Sequence, residues 1–405
     1  MKKKMGYQAL TPAEDAMEII RKCLENERNG DIDARKKAVE DLKSFLVKTG
    51  DGSYTLNSNS IDGKSETMHT YHGAINESME KYIKPADLKN KKKVHVLDIC
   101  SGLGYNAAAC IEYLDDDAKI EIDMIEISEE TVAAALLIEN PIKSYKTIKQ
   151  VVEEKLYEKG SLGFKFNKEK IPSRLNINIH IEDARRVIKD FEGKKKYDAI
   201  FLDPFSPAKC PELFTHEFFL ILKNLLKNEG IILTYTSAVP VRSAMVHAGL
   251  HVGEGPQFGK RSGGTVAAIK QEIIEKSLAS KDERMIALSD VGIPFRDPKL
   301  NSSSDEVHKR RAIERESVRG VTKFASTVKT PLYLFKDIDD PRLQRRVIKS
   351  INMFGIEDLK SKKAAFIVCP QFEECICDCN TGKIDNSKDR INEMIKRLSK
   401  ITKKD

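Results

Sequence analysis

The stretch Val94-His95-Val96-Leu97-Asp98-Ile99-Cys100-Ser101-Gly102-Leu103-Gly104-Tyr105-Asn106 constrains this chain more than any other. A mostly apolar run reaches an acid, then a turn with two glycines, then the helix-forming run Asn106 to Leu114. That pattern predicts a buried strand, a tight turn and a helix N-terminus. Gly102 and Gly104 lack a Cβ, so the turn can take positive φ and let a ligand approach the backbone closely. A Gly-x-Gly pair is common in α/β proteins, and its meaning here comes from the strands and acids downstream of it.

From Val94 to Lys270, strand and helix patterns alternate. Strands are predicted at Val94 to Ile99, Ile120 to Glu126, Asn176 to Ile181, Tyr197 to Leu202 and Ile231 to Tyr235. Helices fit between them, including Glu129 to Glu139 and Glu212 to Lys227. Alternation of this kind argues for a parallel sheet wound on both faces. Two last strands, Leu250 to Gly255 and Thr265 to Ile269, flank Phe258-Gly259-Lys260-Arg261-Ser262-Gly263-Gly264 with no helix between them, so they should pair antiparallel. A Rossmann-like, mostly parallel α/β sheet with a terminal antiparallel hairpin suggests a class I methyltransferase rather than a dinucleotide dehydrogenase, by analogy of fold.

Four acids fall at or near successive strand ends: Asp98, Glu126, Asp183 and Asp203. Ligands of wound sheets bind outside the carboxyl ends of the strands. Glu126 there can accept hydrogen bonds from both hydroxyls of a ribose. Asp183, followed by Ala184, can accept from an exocyclic adenine amine. Asp98, beside the glycine turn and Asn106, can meet an ammonium or order water around it. Together they fit an adenosine with an amino-acid tail, S-adenosylmethionine. Ala107 stands where the dinucleotide fingerprint has its third glycine, which argues against a pyrophosphate ligand. The fourth strand ends in Leu202-Asp203-Pro204-Phe205, similar to the Asp/Asn-Pro-Pro-aromatic turn of amino-group methyltransferases. Asp203 can hold a nitrogen in line with a sulfonium methyl, and the Phe205 ring can pack on a planar base. Attack requires a neutral amine, whereas a carboxylate favours the ammonium. Proton loss to water and proton loss to Asp203 both remain open.

On either side of this core, Thr11-Pro12-Ala13-Glu14 reads as a capping box opening a helix to about Glu27. A second helix is predicted from Ala34 to Val47, a turn and short strand at Asp51 to Leu56, and a helix from Ala74 to Ile83. Gln271 to Gly292 reads as helical, and His308 to Arg319 as a helix rich in arginine. Thr330 to Asp405 reads as a small α+β appendage. The expected division is 1–90, a helical and extended region contributing to the site; 91–272, the methyltransferase domain; 273–329, a basic helical extension; and 330–405, a Cys-rich domain.

Several of these segments resemble the MnmC-type methyltransferase family. Asp51-Gly52-Ser53-Tyr54-Thr55-Leu56 and His72-Gly73-Ala74 with Glu77-Ser78 are similar to its N-terminal part. Leu202 to Lys209 with Pro211-Glu212-Leu213-Phe214-Thr215 resembles its signature after the fourth strand. Thr234 to Ala238 with Val241-Arg242, then Gly255 through Arg261, and Ile293 to Pro298 continue the resemblance in order, over roughly Asp51 to Arg319. The resemblance implies methylation of the amine of 5-aminomethyluridine, or its 2-thio form, at the tRNA wobble position. It implies Asp203 as the amine-facing acid, Gly102, Gly104, Glu126 and Asp183 at the cofactor, and Tyr54, His72, Lys209 and Tyr235 lining the pocket. Lys260 and Arg261, basic residues beside that pocket, fit an RNA partner, as does the arginine-rich helix, although a solvated charged face accounts for them equally well. The family's Asp-Gly-Phe is Asp-Pro-Phe here, a stiffer turn. A methyltransferase-only form is expected, with the amine supplied by another enzyme. The alternatives are a small-amine (polyamine-type) methyl- or aminopropyltransferase, and a non-catalytic RNA-binding module.

Near the end, Cys369 and the run Cys375-Ile376-Cys377-Asp378-Cys379 place four thiols within eleven positions. On an extended strand the last three would share one face. Zinc, an iron–sulfur centre, redox-active thiols and buried thiols are all compatible with this. The remaining cysteines suit a reducing cytoplasm. No apolar run approaches the roughly 20 residues of a membrane span, and no signal peptide is expected behind Met1-Lys2-Lys3-Lys4. The 69 basic and 62 acidic side chains leave +7, mild enough to permit nucleic acid without requiring it.

Overall fold

A computed structural model describes residues 14–56, 72–167, 169–259, 263–380 and 384–402. The chain divides into two interleaved units, the first built from Met1–Leu213, Asn224–Tyr235 and Gly255–Gly264, the second from Phe214–Lys223, Thr236–Glu254 and Thr265–Asp405. Among the described residues, no helix is long and apolar enough to cross a membrane.

In the first unit, β1 (Leu46–Lys48) and β2 (Tyr54–Leu56) form a small antiparallel hairpin. Then come β3 (Lys93–Ile99), β4 (Lys119–Glu126), β5 (Leu175–Ile181), β6 (Tyr197–Leu202) and β7 (Leu226–Thr234), all paired in parallel. Each begins within a residue of the sequence-based expectation except β7, because apolar runs of this length leave the chain little choice. All six residues of β6 are buried, as a central parallel strand requires. With β8 (His251–Glu254) and β9 (Thr265–Ala268), which pair antiparallel, the sheet order is β5-β4-β3-β6-β7-β9-β8. This is the wound α/β sheet with a terminal hairpin that the sequence predicts. The order reverses between β3 and β6, so their carboxyl ends open the crevice where ligands of such sheets bind.

Four local expectations fail, each for a tertiary reason. The helix Ala34–Leu42 stops short of Val47 because Leu46–Lys48 pairs with Tyr54–Leu56. The helix His216–Leu225 ends where Leu226 takes its place opposite Tyr197, well before Ile231. Gln271 to Gly292 is broken into a 3₁₀ turn, the helix Ser280–Leu288 and a second 3₁₀ turn, with Ser277 diverted into a bridge to Gly253. The stretch expected to be α+β carries only helices among its described residues: Pro341–Asn352, Lys362–Val368 and Ser387–Thr402. Its alternating cysteines are no strand. Asp378 and Asn380 take φ of 61° and 51°, which breaks any extended run.

The arginine-rich helix, Ser304–Val318, opens with a complete Ser303/Glu306 capping box. Its arginines are engaged within the fold. Arg310 donates to the Arg296 carbonyl (2.7 Å), and Arg311 to those of Ile293 (2.7 Å) and Val291 (2.8 Å). Arg315 and Arg319 both bind the fully buried Asp290 (2.8 and 2.9 Å). The basic run therefore stitches a loop to a helix, and its guanidinium groups are largely spent on that.

Asp51 fixes the N-terminal hairpin to the helix Ala74–Ser78. Its Oδ1 accepts from the Ser53 amide (3.0 Å), the Ser53 hydroxyl (2.6 Å) and the Thr49 hydroxyl (3.0 Å), and its Oδ2 from the Asn76 amide (2.9 Å). These bonds hold its carboxyl below the usual range even though burial pushes the other way. Gly73 lies directly against that carboxyl at φ 112°, and a Cβ there would sit 1.9 Å from Asp51 Oδ2. Gly73→Ala should therefore cost roughly 2–4 kcal/mol from the clash and the forbidden backbone angle together. Urea unfolding that shows a change of under about 0.5 kcal/mol, the range of an ordinary surface substitution, would contradict this.

Candidate active site

The carboxyl edge of the sheet is level. Ile99 stands opposite Ile125 and Leu202, Glu126 opposite Ile181, and Leu202 opposite Thr234. Residues just at or beyond these positions therefore meet at one rim. Asp98 is fully buried one residue before the end of β3. Asp203 leaves β6 with its amide still bonded to the Ile99 carbonyl (3.2 Å). Asn106, in the first turn of the helix Tyr105–Tyr113, spans the two acids. Its Nδ2 donates to Asp98 Oδ1 (3.1 Å) and reaches Asp203 Oδ2 (3.4 Å).

The turn after β3 runs through positive φ at Cys100 (62°), Gly102 (53°) and Gly104 (80°). At Gly104 a Cβ would come 2.7 Å from Ile148 Cγ2, so backbone angle and close packing both require glycine. The Gly102 amide donates to Glu126 Oε2 (3.1 Å) and the Ser128 amide to Oε1 (3.1 Å), which aims the Glu126 carboxylate at the turn. Asp183 follows β5 as the N-cap of the helix Ala184–Phe191. It accepts from the Arg185 amide (2.9 Å) and pairs with the Arg185 guanidinium (2.7 Å), so it is held rigidly and is already partly satisfied. Ala184 is buried beneath it.

Phe205 and Lys209, both half-buried, lie in the loop after β6, where the Lys209 amide closes a turn on the Ser206 carbonyl (2.8 Å). Tyr235 follows β7 directly and is half-buried. Tyr54 is anchored through its backbone, its amide and carbonyl both bonded to the Tyr105 hydroxyl (3.1 and 2.6 Å). His72 is exposed and meets the Phe258 ring edge-on at 5.7 Å. Lys260 and Arg261 lie outside the described residues, as do Thr11, Pro12 and Ala13 of the predicted capping box.

Tyr82 is a site residue that the sequence concealed. It is 1 % exposed and donates to Asp203 Oδ1 at 2.6 Å. The helix Ala74–Ser78 passes into a π-helical turn at Met79–Ile83, which resets the facing of Tyr82. Such turns recur at functional sites. In sequence, Tyr82 fits the apolar face of a helix, and nothing marks its hydroxyl as directed at an acid 121 positions later.

Gathering the acids shifts their titration. Burial pushes Asp98 up to about 8, with Asp203 and Glu126 adding to the rise against the Asn106 bond. Burial likewise pushes Asp203 up to about 6, held back by the Tyr82 hydroxyl and the Lys81 charge. Glu126 is raised by burial and restrained by its backbone donors. Asp98 Oδ2 and the Ser101 hydroxyl are buried without a partner among the described residues. A crowded set of carboxylates with an unanswered oxygen suits a cationic ligand bearing hydrogen-bond donors. The methionine ammonium, sulfonium and ribose of S-adenosylmethionine meet that description. Tyr82→Phe removes the donor that favours the Asp203 carboxylate, so its pKa should rise above about 6. Carboxyl ¹³C titration reads this directly, and an unchanged or lower midpoint would contradict the assignment.

Residues 145–270 match a family model described as S-adenosyl-L-methionine-dependent methyltransferase. Uncharacterized protein MJ0670 of Methanocaldococcus jannaschii is 34% identical over 316 residues, covering 77% of this chain and 85% of that protein. The tRNA 5-methylaminomethyl-2-thiouridine biosynthesis bifunctional protein MnmC of Leptospira borgpetersenii is 27% identical over 205 residues, 49% of this chain and 30% of that one. The chain thus spans about a third of that bifunctional relative. A crystal structure of MnmC2 from Aquifex aeolicus superposes with a TM-score of 0.54 at 28% identity, covering 75% of this chain and 99% of that one. With its wound sheet, its glycine turn and the acids along one rim, the chain belongs to the MnmC-type family of S-adenosylmethionine-dependent methyltransferases.

Proposed function

We propose that this enzyme methylates the amine of 5-aminomethyluridine, or of its 2-thio form, at the wobble position of tRNA. The observation that carries the reading is Asp203, placed by the Leu-Asp-Pro-Phe turn at the crevice and tied through Asn106 to the acid beside the cofactor turn. The names of the MnmC relatives supply the substrate class.

When bound, S-adenosylmethionine supplies an electrophilic methyl on sulfur. Asp98 and Asn106 hold its amino-acid end, Gly102 and Gly104 admit it to the backbone, Glu126 accepts from the ribose, and Asp183 with Ala184 borders the adenine. Asp203 orients the incoming amine. Tyr82 keeps Asp203 in place and makes it a weaker base than its burial alone would allow. With a pKa near 6 the carboxylate is ionised at neutral pH, yet basic enough to accept a proton as the amine becomes a nucleophile. Phe205 packs on the uracil face. Tyr54, His72, Lys209 and Tyr235 line the nucleoside pocket, and the basic Lys260 and Arg261 fit an RNA partner. Pro204 limits how far the turn can bend, which keeps Asp203 and Phe205 in fixed relation.

Labelled S-adenosylmethionine should transfer methyl to tRNA bearing 5-aminomethyluridine, and not to tRNA lacking the amine or to spermidine. Labelling of spermidine in preference to tRNA would replace this substrate with a polyamine. Asp203→Ala should lower turnover at least about 100-fold, the scale of a lost positioning or acid–base group, with cofactor affinity preserved. Retained turnover would remove Asp203 from the chemistry.

Cofactor affinity should also depend on pH. Below about 8 the Asp98 carboxyl is protonated in the free protein, and a cationic ligand favours its ionised form. Binding therefore expels a proton. Affinity should rise toward tenfold per pH unit between about 6 and 7, and level off near 8 where α-amino groups themselves titrate. Calorimetry in buffers of different ionisation enthalpy should register that proton. Asp98→Asn should flatten the profile, and an Asp98→Asn profile as steep as the parent's would place the titrating group elsewhere.

A further inference from the structure

The methyltransfer chemistry makes no use of the four cysteines near the end of the chain, and the fold brings them together. Cys369 opens the 3₁₀ turn Cys369–Gln371 directly after the helix Lys362–Val368. Cys375, Cys377 and Cys379 sit in the irregular segment before the helix Ser387–Thr402. The ligating sulfurs of all four lie within 4.8 Å of one another. Three of the separations are 3.9 Å (Cys369 to Cys375), 4.0 Å (Cys369 to Cys379) and 3.7 Å (Cys375 to Cys379). None of the eight cysteines is in a disulfide.

These separations select among the species a thiol nest could hold. Zinc–thiolate bonds of about 2.3 Å in a tetrahedron set sulfur–sulfur edges of about 3.8 Å. An iron–sulfur cluster spreads its cysteines over several irons with sulfide between them, and four sulfurs within 4.8 Å of one another leave room for one ion only. We propose that Cys369, Cys375, Cys377 and Cys379 bind a single zinc ion as a closed tetrathiolate site.

Two independent observations support a metal centre at this place. The first is Arg397, 1 % exposed and among the largest fully buried side chains. Its Nη1 approaches Cys377 Sγ at 3.9 Å and donates to the Phe366 carbonyl at 2.9 Å, while its Nε meets Glu393 (2.9 Å) and its guanidinium lies over the Phe366 ring at 4.7 Å. A buried guanidinium directed at neutral thiols would gain little. Four thiolates on a dication leave a dianion, which this cation partly neutralises. The second is the backbone. The positive φ of Asp378 and Asn380 turns the chain at the run of cysteines, and the sulfurs of Cys375 and Cys379 stand 3.7 Å apart.

The segment from Phe372 to the helix Ser387–Thr402 has no regular secondary structure among its described residues. Loops of this length inside a compact fold are uncommon unless something ties them. A four-sulfur site has no open coordination position, so the ion would act as a staple for that loop and not as a Lewis acid.

The test uses the full chain, purified under reducing conditions without chelator. Elemental mass spectrometry should find one zinc per chain. After exchange into cobalt, the protein should show thiolate-to-cobalt charge-transfer absorption and the intense visible bands of a tetrahedral site. The Cys375→Ser/Cys379→Ser double variant should retain less than a tenth of the metal. Should that variant fail to fold, the parent chain provides the check: zinc should slow thiol labelling at these four cysteines and leave Cys23 unaffected. A chain that takes up no zinc after reconstitution, with labelling rates the same with and without the metal, would overturn the proposal. So would stoichiometric iron in place of zinc.

Discussion

Asn106 carries the interaction on which the site depends. One amide nitrogen at the start of a helix reaches two carboxylates delivered by neighbouring strands, Asp98 at 3.1 Å and Asp203 at 3.4 Å. A fully buried acid and a half-buried one that share an amide donor repel one another, and each charge raises the cost of ionising the other. The amide reduces that strain without cancelling it, because it donates and adds no positive charge. The remaining imbalance makes the crevice receptive to a cation. Glu126, aimed by the Gly102 amide, extends the same field along the rim.

The arrangement around this pair is asymmetric in a useful way. Asp98 has only the amide and an unanswered oxygen, and its carboxyl sits high, near 8. Asp203 has in addition the Tyr82 hydroxyl and the Lys81 charge, and sits near 6. Environments that push two acids apart assign them different work. On the proposed reading, the one beside the glycine turn responds to a ligand's charge, and the one at the exit of β6 stays ionised near neutrality. The helix that brings Tyr82 and Lys81 is fixed at its start by Asp51 and Gly73, so the N-terminal hairpin bears on the chemistry through position alone.

Much of this was legible in the residues. The parallel strands were readable because apolar runs a few residues long, closed by acids or glycine, have few alternatives. The acids at the strand ends, the Gly102 and Gly104 turn and the Asp203 turn were readable because each is a local chemical pattern. Less legible were features in which a local pattern competes with a distant partner. The helical period continues smoothly past Leu225, yet Leu226 belongs to a strand because Tyr197 is there to receive it. The arginines of Ser304–Val318 look like a surface for RNA, but Asp290 and the carbonyls of Val291, Ile293 and Arg296 claim them. The alternating cysteines imitate a strand, and the backbone instead folds them into a nest.

The sequence by itself determined which elements exist and which of their ends carry charge, because periodicity, glycine and acid placement act over a few residues. Only the tertiary structure decided which of those charges share a crevice, that a tyrosine from a π-helical turn completes it, and that four sulfurs converge on one point. Those outcomes depend on contacts between residues far apart in the chain, whose partners no local pattern can name.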